Sequence, residues 1–202
     1  MKNLTWKGDR FYLGLTGLPG SGKSTARSIL EELGCKALDA DALAHEVLNL
    51  PAIQKRLAEL LGKDVIEQGK TNRGLIASRV FDNKEKLEAL NGIVHPEVRK
   101  LARSRMESFP AGSIVVYDVP LLFETGLQEE MDATMVISSS FDVRLQRVQS
   151  RGWNQKELQS RENHHHPDKE SLADFVIMND GSLEDLRTRL QTALTSIEEL
   201  RP

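Results

Sequence analysis

Cysteine occurs once in this 202-residue chain, at Cys35, so no internal disulfide is available and a reducing compartment fits best. No segment approaches the roughly 18 uninterrupted apolar residues of a membrane-spanning helix. Residues 1–10 are polar and carry neither an apolar h-region nor a cleavage pattern, so no secretion signal is read and a cytoplasmic location is expected. An excess of positive charge is also missing: 27 lysines and arginines against 30 aspartates and glutamates leave a formal net charge of -3. That balance excludes the broadly basic surface that grips nucleic acid through many phosphate contacts. Any anion must then be held by local groups, and neither nucleic acid nor membrane is an expected partner. Internal repeats are absent, and the only biased tract is His164, His165, His166. The length allows one domain with a sizeable core and room for inserted lobes.

What is present is a glycine-rich loop in a defined setting. Gly17, Leu18, Pro19, Gly20, Ser21, Gly22, Lys23 and Ser24 spell G-x-x-x-x-G-K-S, directly after the apolar run 11–16 and ahead of a helix-like stretch over 25–33. A triphosphate tail must be surrounded by hydrogen-bond donors without being crowded by side chains. Glycines at 17, 20 and 22 let main-chain N–H groups turn inward, and the following helix adds unpaired amides and a positive dipole end. Lys23 can reach the β and γ phosphates, and the Ser24 hydroxyl can ligate Mg²⁺. The candidate ATP ligands are therefore Gly17, Gly20, Ser21, Gly22, Lys23, Ser24 and Thr25.

Apolar runs of strand length at 11–16, 35–38, 114–117, 133–137 and 175–178 are each followed by a helical pattern. This alternation predicts an α/β fold of the P-loop NTPase type, three αβα layers around a mostly parallel sheet. The first helix should stop near Gly34, which can take the left-handed C′ conformation. The closing helix over 183–200 places leucines 183, 186, 190 and 194 in the core. Between 42 and 109 the pattern is helix after helix, at 52–61, 84–94 and 97–109, with no convincing strand signal. It reads as an inserted helical acceptor-binding lobe overhanging the carboxyl ends of the strands. A second insertion, over 152–172, is polar and without apolar periodicity, and reads as a mobile lid. The core then comprises about 10–41, 110–150 and 173–202.

Several side chains suit phosphoryl transfer. Asp39 and Asp41 end the second strand candidate, where a carboxylate can accept the proton of an attacking alcohol. Asp41 is the expected base, with Asp39 orienting it or acting through water on the metal; either could instead cap the next helix. Asp118 closes the apolar strand 114–117 in a Walker B arrangement and joins Ser24 as a candidate metal ligand. Arg144, Arg147 and Arg151 share one helix face, and Arg161 lies in the lid. Arg151, nearest the lid, is the expected partner of transition-state charge, whereas Arg144 reads as part of a solvated face. The histidine triplet suggests metal by composition only, without Cys or Glu at ligand spacing. His95-Pro96 alone reads as a helix start.

Together these segments resemble the dephospho-CoA kinase family. The matching pieces are Leu15-Thr16-Gly17 through Ser24-Thr25, Asp39-Ala40-Asp41 with Ala44-His45-Glu46-Val47, Val80-Phe81, His95-Pro96 and Asp118-Val119-Pro120-Leu121-Leu122-Phe123-Glu124. Ala173-Asp174-Phe175-Val176-Ile177 and Asn179-Asp180-Gly181-Ser182-Leu183-Glu184 extend the likeness over nearly the whole chain. The resemblance implies transfer of the ATP γ-phosphoryl group to the ribose 3′-hydroxyl of dephospho-coenzyme A, giving coenzyme A and ADP. It implies Asp41 as base, with Lys23 and Arg151 also catalytic. It puts His95, Leu121, Leu122, Phe123 and Glu124 on the acceptor side, Arg161 on the nucleotide, and ATP with Mg²⁺ as the cofactors. A monomer or weak homo-oligomer is expected. Two departures stand out. Pro19 sits where the family commonly has glycine-glycine-isoleucine around the loop, and Arg161-Glu162-Asn163-His164-His165 replaces most of a commoner Arg-Ile-x-x-Gln.

Three other classes remain open on the residues alone: another small-molecule or nucleoside-monophosphate kinase of this fold, a regulatory GTPase, and a structural protein with an inactive loop. Asn83-Lys84-Glu85-Lys86 approaches the guanine motif N-K-x-D but ends in lysine, without the carboxylate that would recognise guanine.

Overall fold

The computed structural model describes residue 6 and residues 8–201, so much of the polar segment read for a secretion signal lies outside the described residues. In chain order the elements are β1 (Phe11–Gly17), α1 (Lys23–Glu32), β2 (Lys36–Asp39), α2 (Ala40–Leu48), α3 (Pro51–Leu61), β3 (Ile66–Glu67), β4 (Lys70–Thr71), α4 (Arg73–Val80), α5 (Lys84–Ser108), β5 (Ile114–Asp118), β6 (Ala133–Ser138), α6 (Phe141–Gln149), α7 (Gln155–Glu162), α8 (Lys169–Leu172), β7 (Phe175–Met178) and α9 (Leu183–Glu198). Two compact units result. One comprises residues 1–38 and 109–202, the other residues 39–108.

The first unit is built on a five-stranded sheet of order β2-β5-β1-β6-β7. β1 pairs in parallel with β5 and β6, and β6 in parallel with β7. Central strands covered on both faces need continuous apolar sequence, and β5 and β6 are buried at every position. Leu13, Leu15, Val116, Met135 and Ile137 form the core with Ala26, Ile29 and Leu30 of α1 and Leu186, Leu190 and Ile197 of α9. Helix α1 ends as its sequence predicts: Gly34 takes φ 100, and the Cys35 amide donates to the Leu30 carbonyl in a Schellman closure. Cys35 itself packs in the core, where burial and the nearby Glu198 push its thiol up to about 11, so it is inert. One expected core leucine is not there. Leu183, the first residue after the Ser182 cap, is 63% exposed, because the first turn of α9 projects beyond the apolar stripe that begins at Leu186.

The second unit packs α2, α3, α4 and α5 around Val47, Ile53, Leu57, Val65, Ile76, Val80, Ile93 and Val94. Two expectations are corrected there. The segments 84–94 and 97–109 form one 25-residue helix, α5, with Pro96 inside it rather than opening a new one. Proline removes the amide that would bond the Gly92 carbonyl. Both residues lie on the exposed side, so water can serve that carbonyl, while Ile93, Val94, Ala102 and Met106 keep the helix seated on either side of the defect. The second correction is a hairpin, β3 with β4, turned by Gln68 at φ 49 and Gly69 at φ 76. Positive φ at both central residues is the signature of a type I′ turn. The strands are two residues each, too short for periodicity to reveal. Asn83, part of the near-guanine motif, caps α5 by accepting from the Lys86 amide at 2.9 Å.

Replacing Pro96 with alanine should restore the missing helical bond. We expect Pro96→Ala to stabilise the chain by about 1–3 kcal/mol, read as a higher denaturant midpoint at constant m-value.

Candidate active site

A cavity of about 510 Å³ opens at the phosphate loop within the first unit. Gly17, Gly20, Gly22, Lys23, Ser24 and Thr25 line one side, and Pro120, Arg147, Arg151, His165 and Asn179 line the other. The loop conformation follows from its sequence. Pro19 and Gly20 occupy the centre of a turn closed by the Ser21 amide donating to the Leu18 carbonyl at 3.1 Å, and Gly20 has the φ of 83 that a type II turn requires. The proline that departs from the family pattern is therefore at a position that favours proline. Gly22 has φ 90, and a Cβ there would run into the Asn179 amide. Only glycine fits. Because Gly22 also caps α1, no side chain satisfies the first amides of that helix. They are left for an anion.

Lys23 Nζ donates to Asp118 Oδ1, and Arg27 reaches Asp118 Oδ2 at 3.3 Å. Asp118 ends β5, opposite Leu15 of β1, with 3% of its surface exposed. A carboxylate this deep needs cationic partners. Arg147 performs a different task. Its guanidinium donates to Ser139 Oγ at 3.0 Å and to the carbonyls of Asn179 at 2.8 Å, Ser21 at 3.3 Å and Gly20 at 3.4 Å. Asn179 Nδ2 also donates to the Ser21 carbonyl at 2.7 Å. The loop is thus tied to the ends of β6 and β7 through the carbonyls of Gly20 and Ser21, and fixing the Ser21 carbonyl also fixes the Gly22 amide of the same peptide plane. Arg144, expected on a solvated face, is instead 6% exposed: its Nε donates to the Ser139 carbonyl at 3.0 Å, and it pairs with Glu162 of α7. The seam between α6 and α7 buries it. Arg151 reaches the cavity with its guanidinium near the Trp153 ring, whereas Arg161 stacks on Trp153 at 4.0 Å outside the cavity lining.

The segment 152–172 is folded, with a capping box at Asn154 and Glu157 opening α7 and Leu158 fully buried beneath it. Glu124 accepts from the His166 amide and pairs with Lys169 at 3.0 Å. Burial raises its carboxyl, but its own amide, the His166 amide and Lys169 together hold it below the usual range. Leu122 is fully buried, packed where Gly14 leaves room for it, and Phe123 is 9% exposed; of that segment's apolar residues Leu121 has surface to offer, at 38%. His165 lines the cavity, and burial, with Lys169 adding to it, lowers its pKa to about 4. In the second unit, Asp39 caps α2 by accepting from the amides of Asp41 at 2.9 Å and Ala42 at 3.1 Å. Asp41 is left exposed in the first turn. His95 lies on α5, its pKa lowered by partial burial and then by Arg99. Sequence reading passed over Arg147's tether and Lys169, and named Asn179 only as part of a segment that matches the family. For Arg147, the three-residue spacing from Arg144 was the one hint.

Fold and loop define the class: a P-loop kinase. A shikimate kinase from Bacteroides thetaiotaomicron shares the fold at 15% identity, with a TM-score of 0.53 over 93% of this chain and 98% of that one. The dephospho-CoA kinase family model matches residues 11–185, and the chain belongs to that family. The dephospho-CoA kinase of Leptospira interrogans is 38% identical over 192 residues, covering 93% of each chain. That of Fusobacterium nucleatum is 34% identical over 183 residues, 89% of this chain and 94% of the relative. A Thermus thermophilus protein of known crystal structure superposes with a TM-score of 0.81 at 34% identity, over 93% of this chain and 97% of that one.

Arg147→Ala would remove the guanidinium donor to the Gly20 carbonyl and one of the donors that reach the carbonyls of Ser21 and Asn179. We expect a loss of about 1–3 kcal/mol in unfolding free energy and at least about tenfold weaker nucleotide binding, measured by denaturation and titration calorimetry. Arg147→Lys should restore little, since one ammonium cannot span the fork.

Proposed function

We propose that the chain transfers the γ-phosphoryl group of ATP to the 3′-hydroxyl of the ribose of dephospho-coenzyme A, yielding coenzyme A and ADP. Membership of the family supports this reading. The observation that carries it is the uncapped start of α1 opening on a cavity where Lys23 waits on a buried carboxylate, Asp118. Arriving phosphates offer Lys23 a stronger, multiply charged acceptor than Asp118, and the free amides of Lys23, Ser24 and Thr25 complete the cradle. In this reading Arg151, which lines the cavity, meets the charge that spreads over the transferring group.

Ser24 and Asp118 would hold the magnesium ion. No cluster of three or more His, Cys, Asp or Glu suited to a metal exists among the described residues, and one hydroxyl with one carboxylate fits an ion that keeps most of its water and leans on phosphate oxygens. When bound, the ion neutralises charge on the phosphates. Asp41 is the base in this reading: Asp39 is committed to the helix cap, which leaves the exposed Asp41 carboxylate free for an alcohol proton. We assign residues 39–108 the acceptor-binding lobe, with His95, and give Leu121 the acceptor contact that buried Leu122 and Phe123 lack surface to make. Residues 152–172 are assigned the lid, and Arg161 remains its nucleotide contact on closure. A cytoplasmic setting agrees with a lone buried thiol.

Mass analysis of the product formed from ATP and dephospho-coenzyme A tests donor, acceptor and position together. One added phosphoryl on the ribose 3′-oxygen is expected; phosphorylation of a mononucleotide or shikimate, with none of dephospho-coenzyme A, would overturn the reading. Asp41→Asn should lower kcat by about 10²-fold or more with ATP affinity nearly intact. Lys23→Ala should lower kcat/KM by a similar factor, on the order of 10²-fold or more.

A further inference from the structure

Lys169 is the most deeply buried lysine among the described residues, with 2% of its surface exposed, although it belongs to the four-residue helix α8 in a polar segment. Its ammonium has three N–H donors, and three oxygens receive them: Pro120 O at 2.8 Å, Glu124 Oε1 at 3.0 Å and Thr16 Oγ1 at 3.3 Å. Thr16 immediately precedes the phosphate loop and donates its own hydroxyl hydrogen to Pro120 O at 2.9 Å. Pro120 follows Asp118 by two residues and lines the cavity. Glu124 in turn accepts from the His166 amide. His165, immediately before the His166 anchor, is the residue of the segment that enters the cavity wall.

A lysine beside a phosphate site invites the reading that it is a second phosphate ligand. The donor count argues otherwise, since no N–H of Lys169 is left for an anion, whereas Lys23 keeps donors to spend. We propose that Lys169, with Glu124, is a positioning pair that docks the 152–172 segment on the strand ends flanking the phosphate loop and thereby keeps water from the transferring phosphoryl group. This rests on the phosphoryl transfer proposed above. The pair makes no contact with the reacting atoms; its effect is on which acceptor reaches them. If the segment lifts, water attacks the γ-phosphorus, the bond to the β-γ bridging oxygen breaks, and ATP yields ADP, inorganic phosphate and a proton instead of coenzyme A and ADP.

The readout is the ratio of ADP formed to coenzyme A formed, with wild type measured first. Wild type should give a ratio near one; absence of coenzyme A there would overturn the functional reading on which this proposal rests. Lys169→Met, which keeps the apolar stem, and Glu124→Gln should each raise the ratio by about fivefold or more. The double variant should do no more than either alone, as expected of groups acting together. A defect that is merely structural would lower both rates together at an unchanged ratio, and that result would overturn the proposal, as would unchanged rates. Hydrogen exchange gives a reading independent of the acceptor: amides of residues 155–172 should exchange faster in both variants, while those of β1 and β6 stay protected. Should Lys169→Met fail to fold by circular dichroism, Glu124→Gln decides the matter by the same two measurements, and its failure to move either would sink the proposal.

Discussion

A carboxylate buried at the end of a central strand cannot remain unpaired, and the arrangement of this site follows from how Asp118 meets that constraint. With 3% of its surface exposed, it holds Lys23 and Arg27 in place. Positive charge clustered at the phosphate loop would repel itself and destabilise the loop; pairing with Asp118 removes that cost while leaving the cations at hand. The attraction between Lys23 and Asp118 is of the same kind as the one a polyphosphate would supply. In the proposed reaction, entry of the nucleotide is then an exchange of partners rather than a charging of the pocket.

That exchange is useful only if the loop's amides stay aimed while the lysine moves. The rigidity comes from behind, through carbonyls. Arg147 and Asn179 bind the outward oxygens of Gly20 and Ser21 and join them to Ser139 at the end of β6. An amide plane has two ends, so fixing the Ser21 oxygen orients the Gly22 N–H, while the Ser21 N–H is held by the Leu18 carbonyl. The same logic explains why Gly22 can be nothing else: the Asn179 side chain occupies the space a Cβ would need. Sequence elements more than 120 residues apart are held in register by one guanidinium, which reaches from Arg147 to Gly20.

These contacts mark where the sequence was legible and where it was not. The five strands, the phosphate loop and the stop at Gly34 could all be read locally, because apolar runs, glycine spacing and cap chemistry act over a few residues. Pro96 was misread for a physical reason: local rules penalise proline in a helix, and only tertiary burial of Ile93, Val94, Ala102 and Met106 overrides them. Leu183 was assigned to the core because periodicity cannot see where a helix outruns the sheet it covers. Arg144 and Lys169 were hidden for a third reason. Nothing in a polar stretch distinguishes a solvated cation from one whose partners, Glu162 and Glu124, lie 18 and 45 residues away in sequence. Asp39 and Asp41 were legible as a pair but not individually; two amides donating to Asp39 separate the cap from the open carboxylate.

Lys23 and Lys169 show how little residue type alone decides. Both are substantially buried and near the same loop, and Lys23 adds to the burial that lowers the Lys169 pKa. Their difference lies in what surrounds the nitrogen. Around Lys169 a carbonyl, a hydroxyl and a carboxylate match the three donors of an ammonium, so moving it would take a donor from three acceptors at once. Lys23 faces one carboxylate on one side and a cavity on the other. A cation with all donors committed behaves as part of the frame, and one with donors to spare behaves as a ligand. The division of labour at this site therefore follows from counting hydrogen-bond acceptors, a property that emerges only when β1, the segment after β5 and α8 are brought to one point.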